Sequence, residues 1–448
     1  MATRMLEIEV VPTPEPGKSS MFAADITPTA DTVDDFKAPK GKLAELARRL
    51  GRNGFTIRHI GEFSVSAACP EDHFERFFAT RIDDVKLPVP RGADELIVRA
   101  PLVGTSFQVP KADSLDSLIE RAYVQHEPTY FADERPLPPF WNDKFRLRVP
   151  GDVAQILRAA SVHQKGISGR GVRVAMPDTG FYRHPYYVAQ GYNFLAVTAP
   201  DALDQATDAH GHGTGECANL FAVAPGINFV GVKMNNPTLA FATAVQLRPQ
   251  VMTNSWGYHA DVPGTTMPNF LKPLYLTILD AVAQGITVCF SAGNGHFAFP
   301  ACIPEVIAAG GVVVGEDMKY SATPYASGFE STWFPGRRVP DVCGLCGTPP
   351  AADYLVLPVA ITAALNKEAG WGAFSGTSAA SPMVAGVCAL LKEAQPSLTP
   401  VEIKHILMHT ARDITTGTCG QGHPAAPGPD LATGFGLVDA DRAIDVVL

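Results

Sequence analysis

Three short segments, MPDTG at 176–180, HGHGTG at 210–215 and FSGTSAASP at 374–382, bring an aspartate, a histidine and a serine into one chain as Asp178, His212 and Ser378. Together these residue types can carry out acyl transfer. A serine hydroxyl is a poor nucleophile at neutral pH, so an imidazole must take its proton as it attacks, and a carboxylate must hold that imidazole in the correct tautomer. The serine stands just before AASPMVAGVCALL, whose small and apolar residues read as a buried helix. A nucleophile at a helix N-terminus has free backbone N–H groups and the positive end of the helix dipole beside it, and both favour negative charge on an attacked carbonyl.

Further strings extend the pattern along the chain. GRGVRVAMPDTG leads into Asp178, TNSWG covers 253–257, SAGNG covers 291–295, GTSAASPMVAGVCALL carries Ser378, and GFGLVDADRAI fills 434–444. In this order they resemble the subtilisin-type (subtilase, kexin-like) serine endopeptidase domain over residues 147–448. The order Asp, His, Ser separates that family from chymotrypsin and the α/β-hydrolases. The resemblance implies Ser378 as nucleophile, His212 as base, Asp178 as its orienting carboxylate and Asn294 as the side-chain donor to the oxyanion. It implies that Ser255, Trp256 and Gly257 pair with an extended peptide by adding it as a strand. No cofactor or metal is called for by this chemistry. Many members bind structural calcium, but no Asp-rich loop marks such a site here. The sedolisins resemble VPDV at 339–342 and share the serine string, but they use a Glu and Asp pair and an oxyanion aspartate, so His212 and Asn294 favour the subtilisin mechanism.

The pattern has departures and competing assignments. Pro177 precedes Asp178 where relatives have an apolar β-branched residue. After His212 the chain continues Gly215, Glu216, Cys217, and a carboxylate at Glu216 could raise the histidine pKa. His210 competes with His212 and reads as a substrate-side or solvated residue. Trp256 reads equally as pocket wall or core. Cys343 and Cys346 form a CxxC, but no second pair completes a zinc site, so they read as structural.

The elements that must position these residues are visible as hydrophobic patterns. Apolar runs at 172–176, 227–234, 249–256, 286–293 and 306–315 read as buried parallel strands. Leu274, Ile278 and Val282 mark a crossover helix closed by Gly285, and Thr399-Pro400-Val401-Glu402 is a capping box. Ligands in such sheets gather at the carboxyl ends of strands, and Asp178 directly follows its strand.

Upstream, residues 1–40 read as a flexible leader rich in Pro, Thr and Asp. Leu43, Leu46 and Leu50 mark a helix, 55–69 a hairpin, PEDHFERFFATRI at 70–82 a second helix with Phe74, Phe77 and Phe78 on one face, and 96–103 another strand. This unit, at 41–105, resembles the prodomains of subtilisins and sedolisins, which act as folding chaperones and plug the active site. The Pro-rich stretch 126–143 lies in a linker, residues 106–146, where prolines discourage helix and strand alike.

The 448 residues, 46% of them hydrophobic, can bury a large core. A net charge of −9 without a dense basic run points away from nucleic acid, and no apolar stretch approaches the roughly 20 residues of a membrane span. Eight scattered cysteines do not suggest a disulfide scaffold, and the first residues lack a signal-peptide pattern, so a cytoplasmic location is expected. The expected architecture is α/β: a three-layer, subtilisin-like domain with a mostly parallel sheet at 147–448, preceded by a small α+β, ferredoxin-like prodomain. The expected partners are a protein or peptide substrate and the intramolecular prodomain. A latent or catalytically silent binding protein of the same fold is the alternative.

Overall fold

Order begins inside the segment read as a leader. MLEIEVVP forms strand β1 (Met5–Pro12), in which Leu6, Ile8 and Val10 point to one face and Glu7, Glu9 and Val11 to the other. The computed structural model describes residues 4–23, 27–87, 96–101, 115, 117–125, 129–130, 133–136, 145–347, 354–360 and 370–448. Helix α1 (Lys40–Arg52), strands β2 (Thr56–Ile60) and β3 (Val65–Pro70) and helix α2 (Glu71–Phe77) follow, and β4 (Ile119–Val124) closes a sheet of order β2-β3-β1-β4. All its pairs are antiparallel, with Ile8 opposite both Ala67 and Val124. Leu43, Leu46 and Leu50 of α1 pack on one face with Phe74 and Phe78.

This corrects the boundaries expected for the N-terminal unit. Two of its four strands lie outside 41–105, while Leu96–Pro101 pairs instead with Ile82–Leu87 in a separate hairpin. The misreading has a physical cause: β1 alternates with period two, but proline and threonine downstream dominate the composition of its segment. The rest of that segment is also anchored. Met21, Val33 and Phe36 join the core of the larger domain, and Lys37 pairs with Asp280 at 2.6 Å.

The larger domain carries an eight-stranded sheet. Its strands are β5 (Arg173–Asp178), β6 (Phe194–Thr198), β7 (Asn228–Lys233), β8 (Val251–Asn254), β10 (Thr287–Ser291), β11 (Ile307–Val314), β12 (Tyr320–Ala322) and β13 (Val342–Leu345), with β9 (Trp256–His259) outside it. The order is β6-β7-β5-β8-β10-β11-β12, and β13 also pairs with β11. Only β12 runs antiparallel. The predicted buried strands are therefore present, and helices cover both faces to make three layers. On one side lie α3 (His212–Val223) and α6 (Thr377–Ala394); on the other lie α4 (Pro237–Gln246) and α5 (Lys272–Ala283).

Close helix packing holds the serine helix in place. A Cβ on Gly386 of α6 would stand 2.6 Å from Val223 Cβ of α3, so the small residues of GTSAASPMVAG let the two helices approach. The capping box forms as expected at α7 (Pro400–Thr410), with Thr399 and Glu402 bonded reciprocally. Asp341 of the VPDV string is buried between Arg337 and Lys404 and accepts the backbone N–H of Ala308, bracing the loop before β13. Among the described residues, no helix is long and apolar enough to cross a membrane.

Candidate active site

Asp178 ends β5, and His212 opens α3 after Gly211, whose φ of +96° turns the chain sharply. His212 Nδ1 and Asp178 Oδ1 are 2.7 Å apart and both side chains are buried. Asp178 Oδ1 also accepts the backbone N–H of Thr179 at 2.7 Å. A carboxylate only accepts, so the imidazole proton sits on Nδ1, and Nε2 is the nitrogen able to take a proton. Pro177 does not disturb this placement: β5 pairs in register with β7 through Pro177 and Asp178.

Ser378 lies in the first turn of α6, after strand β14 (Trp371–Ser375) and the turn at Gly376, whose φ of +127° favours glycine. Its hydroxyl donates to the Ser255 carbonyl at 3.1 Å, and the Ser255 hydroxyl donates back to the Ser378 carbonyl at 2.8 Å. The second bond follows from sequence. Residue 382 is proline, which has no N–H to give the Ser378 carbonyl, and Ser255 supplies the missing donor. The same proline leaves the first turn of α6 anchored to the strand wall beside it.

Asn294 follows β10. Its Oδ1 accepts the backbone N–H and the hydroxyl of Thr377, each at 3.0 Å. A backbone N–H can only donate, so this pairing assigns Oδ1 to Thr377 and leaves Nδ2 as the donating end, one residue along the chain from Ser378. His296 accepts the Asn294 N–H on Nδ1 at 3.1 Å, and burial pushes its pKa down to about 4, so the ring stays neutral and keeps that acceptor.

Trp256 is core in its side chain: the ring is buried, stands edge-on to Phe290, and donates to the Pro177 carbonyl at 3.0 Å. Its backbone serves differently. Tyr130 pairs with Trp256 and Thr129 with Gly257, antiparallel. On the far side, residues 133–136 pair antiparallel with 372–375, Asp133 opposite Ser375, three residues before Ser378. The stretch expected to resist strand formation thus adds strands to both walls of the site, because edge pairing requires only the backbone and tolerates proline at a strand end.

The remaining expectations also find places. His210 is exposed. Glu216 is buried and accepts from Asn219 at 2.8 Å. Cys343 and Cys346 are buried against backbone carbonyls, and burial pushes both thiols well above their ordinary range, the opposite of a reactive cysteine. The sequence reading missed Asp208, a buried carboxylate bonded to Thr179, Gly211 and Thr214 on either side of the Asp178–His212 pair. An acidic residue three positions before the glycine that caps α3 was the available signal.

Comparison with known proteins speaks to the family of the chain. The subtilase family model matches residues 169–436. M-protease of Shouchella clausii (strain KSM-K16) is 26% identical over 287 residues, covering 61% of this chain and 68% of its own length. Subtilisin Savinase of Lederbergia lenta is 26% identical over 287 residues, covering 61% of this chain and 96% of its own. Serine protease AprX of Bacillus subtilis (strain 168) is 29% identical over 282 residues, covering 54% and 61%. Among solved structures, fervidolysin from Fervidobacterium pennivorans, described as a keratinolytic enzyme related to subtilisin, superposes with a TM-score of 0.61 at 16% identity. That match covers 99% of this chain, which spans 61% of the fervidolysin chain, and at this identity it speaks for the fold.

Proposed function

This chain belongs to the subtilase family, the subtilisin-like serine endopeptidases, and on that premise we propose that Ser378, His212 and Asp178 are its working triad and that its own N-terminal portion holds it latent. In the proposed cycle, Ser378 Oγ attacks the scissile carbonyl of a protein or peptide chain while His212 Nε2 takes the hydroxyl proton. Asp178 stabilises the imidazolium through Nδ1. The oxyanion is held by Asn294 Nδ2 and the backbone N–H of Ser378. His212 returns the proton to the leaving amine, and water, deprotonated by the same imidazole, releases the acyl group. The observation that carries this reading is the buried 2.7 Å bond between His212 Nδ1 and Asp178 Oδ1, which fixes the tautomer the cycle needs.

Latency is supported by the two linker strands. An extended substrate would bind by pairing its backbone with Trp256 and Gly257, and Thr129 and Tyr130 occupy that edge. The described part of the linker then resumes against 372–375. Asp178, His212 and Ser378 are all buried, and in this reading substrate pairs with Trp256 and Gly257 once the linker strands leave. A catalytically silent fold has no need of an intact relay, so the test is hydrolysis of an unfolded protein by wild type and by Ser378→Ala, each first incubated long enough for the chain to cut its own linker. We expect wild type to cut and the variant to lose at least about a thousandfold in rate. Equal hydrolysis by both would reject the assignment.

A further inference from the structure

The buried carboxylate of Asp208 lies outside the relay just described, and the inference drawn from it rests on that relay being the working site. We propose that Asp208 is a positioning residue for peptide hydrolysis, clamping the loop after β5 to the first turn of α3 so that Asp178 and His212 meet in the reactive geometry.

Four donors converge on this one side chain, which is completely buried. Oδ1 accepts the Thr179 hydroxyl and the Gly211 N–H, each at 2.9 Å. Oδ2 accepts the Thr214 N–H at 2.9 Å and the Thr214 hydroxyl at 2.6 Å. An ionised carboxylate offers about four lone-pair sites and no donor, so every site is used. The donors are distributed to suit a clamp. Thr179 is covalently next to Asp178, while Gly211 and Thr214 bracket His212. Thr179 Oγ1 in turn accepts the N–H of Gly213, the residue after His212, at 3.0 Å. Thr214 Oγ1 accepts the N–H of Tyr182 at 3.0 Å, tying α3 to the loop after β5 a second time. Both members of the dyad are therefore held from adjacent backbone by one charged group.

Two physical effects make such a clamp matter to the reaction. Misplacing a reacting group by about 1 Å can cost on the order of a hundredfold in rate. A negative charge at the start of the twelve-residue helix α3 is also favoured by the helix dipole, and it favours the imidazolium that forms as Ser378 attacks. An amide in place of the carboxylate would offer one oxygen and turn an NH2 toward a backbone N–H that only donates and a threonine hydroxyl that would have to reverse, so at least one of the four bonds would be lost.

The test compares wild type with Asp208→Asn, Thr179→Val and Thr179→Ser, each incubated as the full chain until self-cleavage has freed the site, measuring kcat and KM per active site titrated with a fluorophosphonate, and the pH dependence of kcat. For Asp208→Asn we expect kcat to fall about 10- to 100-fold with KM within about threefold. The acidic limb of its pH profile should move to lower pH, because a charge that favours the imidazolium is gone. Thr179→Val, which removes one donor to Asp208 and the acceptor for Gly213, should lower kcat about 3- to 10-fold, and Thr179→Ser should restore it. If Asp208→Asn fails to fold, the Thr179 pair decides. Wild-type kcat and an unshifted profile in the folded variants, with only the melting temperature reduced, would make Asp208 a purely structural residue and overturn the inference. Wild type that neither hydrolyses nor titrates would overturn the proposed function and this inference with it.

Discussion

The carbonyl of Ser378 accepts the hydroxyl of Ser255 at 2.8 Å, in the place where an unbroken helix would have used the N–H of residue 382. That residue is Pro382, so Ser255 completes the first turn of the helix that carries the nucleophile. Replacing Ser255 by alanine leaves a buried carbonyl without its donor, which costs about 1–3 kcal/mol. Urea denaturation of Ser255→Ala should show a loss in that range. Ser255→Thr, which keeps a hydroxyl, should recover part of it.

Asn294 is the next residue whose role can be separated into parts. Its Oδ1 receives Thr377 and its Nδ2 is the proposed oxyanion donor. Asn294→Asp keeps an acceptor for Thr377 but has no donor and adds a negative charge. We expect kcat to fall by at least the 10²–10³-fold typical of losing one such donor, with KM little changed. A change in KM alone would show that Asn294 only binds substrate.

Docking of the N-terminal unit should depend on pH. Glu9 faces the larger domain from β1, accepts the Ser64 hydroxyl at 2.7 Å, and lies near Asp201 and Glu7. Burial pushes its pKa up from 4.5 to about 7, and burial likewise pushes Asp201 up to about 6, with Arg58 opposing. Below the ordinary values of 4.5 for Glu9 and 3.8 for Asp201 each carboxyl is protonated in both states and burying it is not opposed. As pH rises toward 7 the unfolded or undocked carboxylates ionise first, so the docked state is progressively penalised, by on the order of 3 kcal/mol for Glu9 once ionisation is complete. Glu9→Gln should flatten this dependence. Thermal melts of the full chain near pH 5 and near pH 8 would measure it, and an unchanged slope in the variant would assign the pH response elsewhere.

Local chemistry and hydrophobic period made much of this molecule readable in advance. MPDTG, HGHGTG and GTSAASP each combine a reactive residue with the glycines and small residues its turn requires, and β5, β7, β8, β10 and β11 announce themselves as apolar runs. The capping box at Thr399 is equally local. What escaped depends on distant partners. Strand β1 alternates cleanly, but its place between β3 and β4 joins residues more than fifty positions apart. The strands at Thr129–Tyr130 and Asp133–Pro136 are set by the edges they meet at Trp256 and Ser375, which no pattern in the linker encodes. Asp208 is an acidic residue in a loop, and only folding gathers four donors around it.

The most direct test of the central claim is the intact mass of wild type and Ser378→Ala, each incubated with and without a fluorophosphonate. Tyr130 lies opposite Trp256 and Asp133 opposite Ser375, three residues before the nucleophile. The account predicts an adduct on Ser378 in wild type only, and a wild-type chain shortened within the linker at 106–146, with Ser378→Ala left at full length. An unlabelled, full-length wild type, or identical cleavage in both proteins, would contradict it.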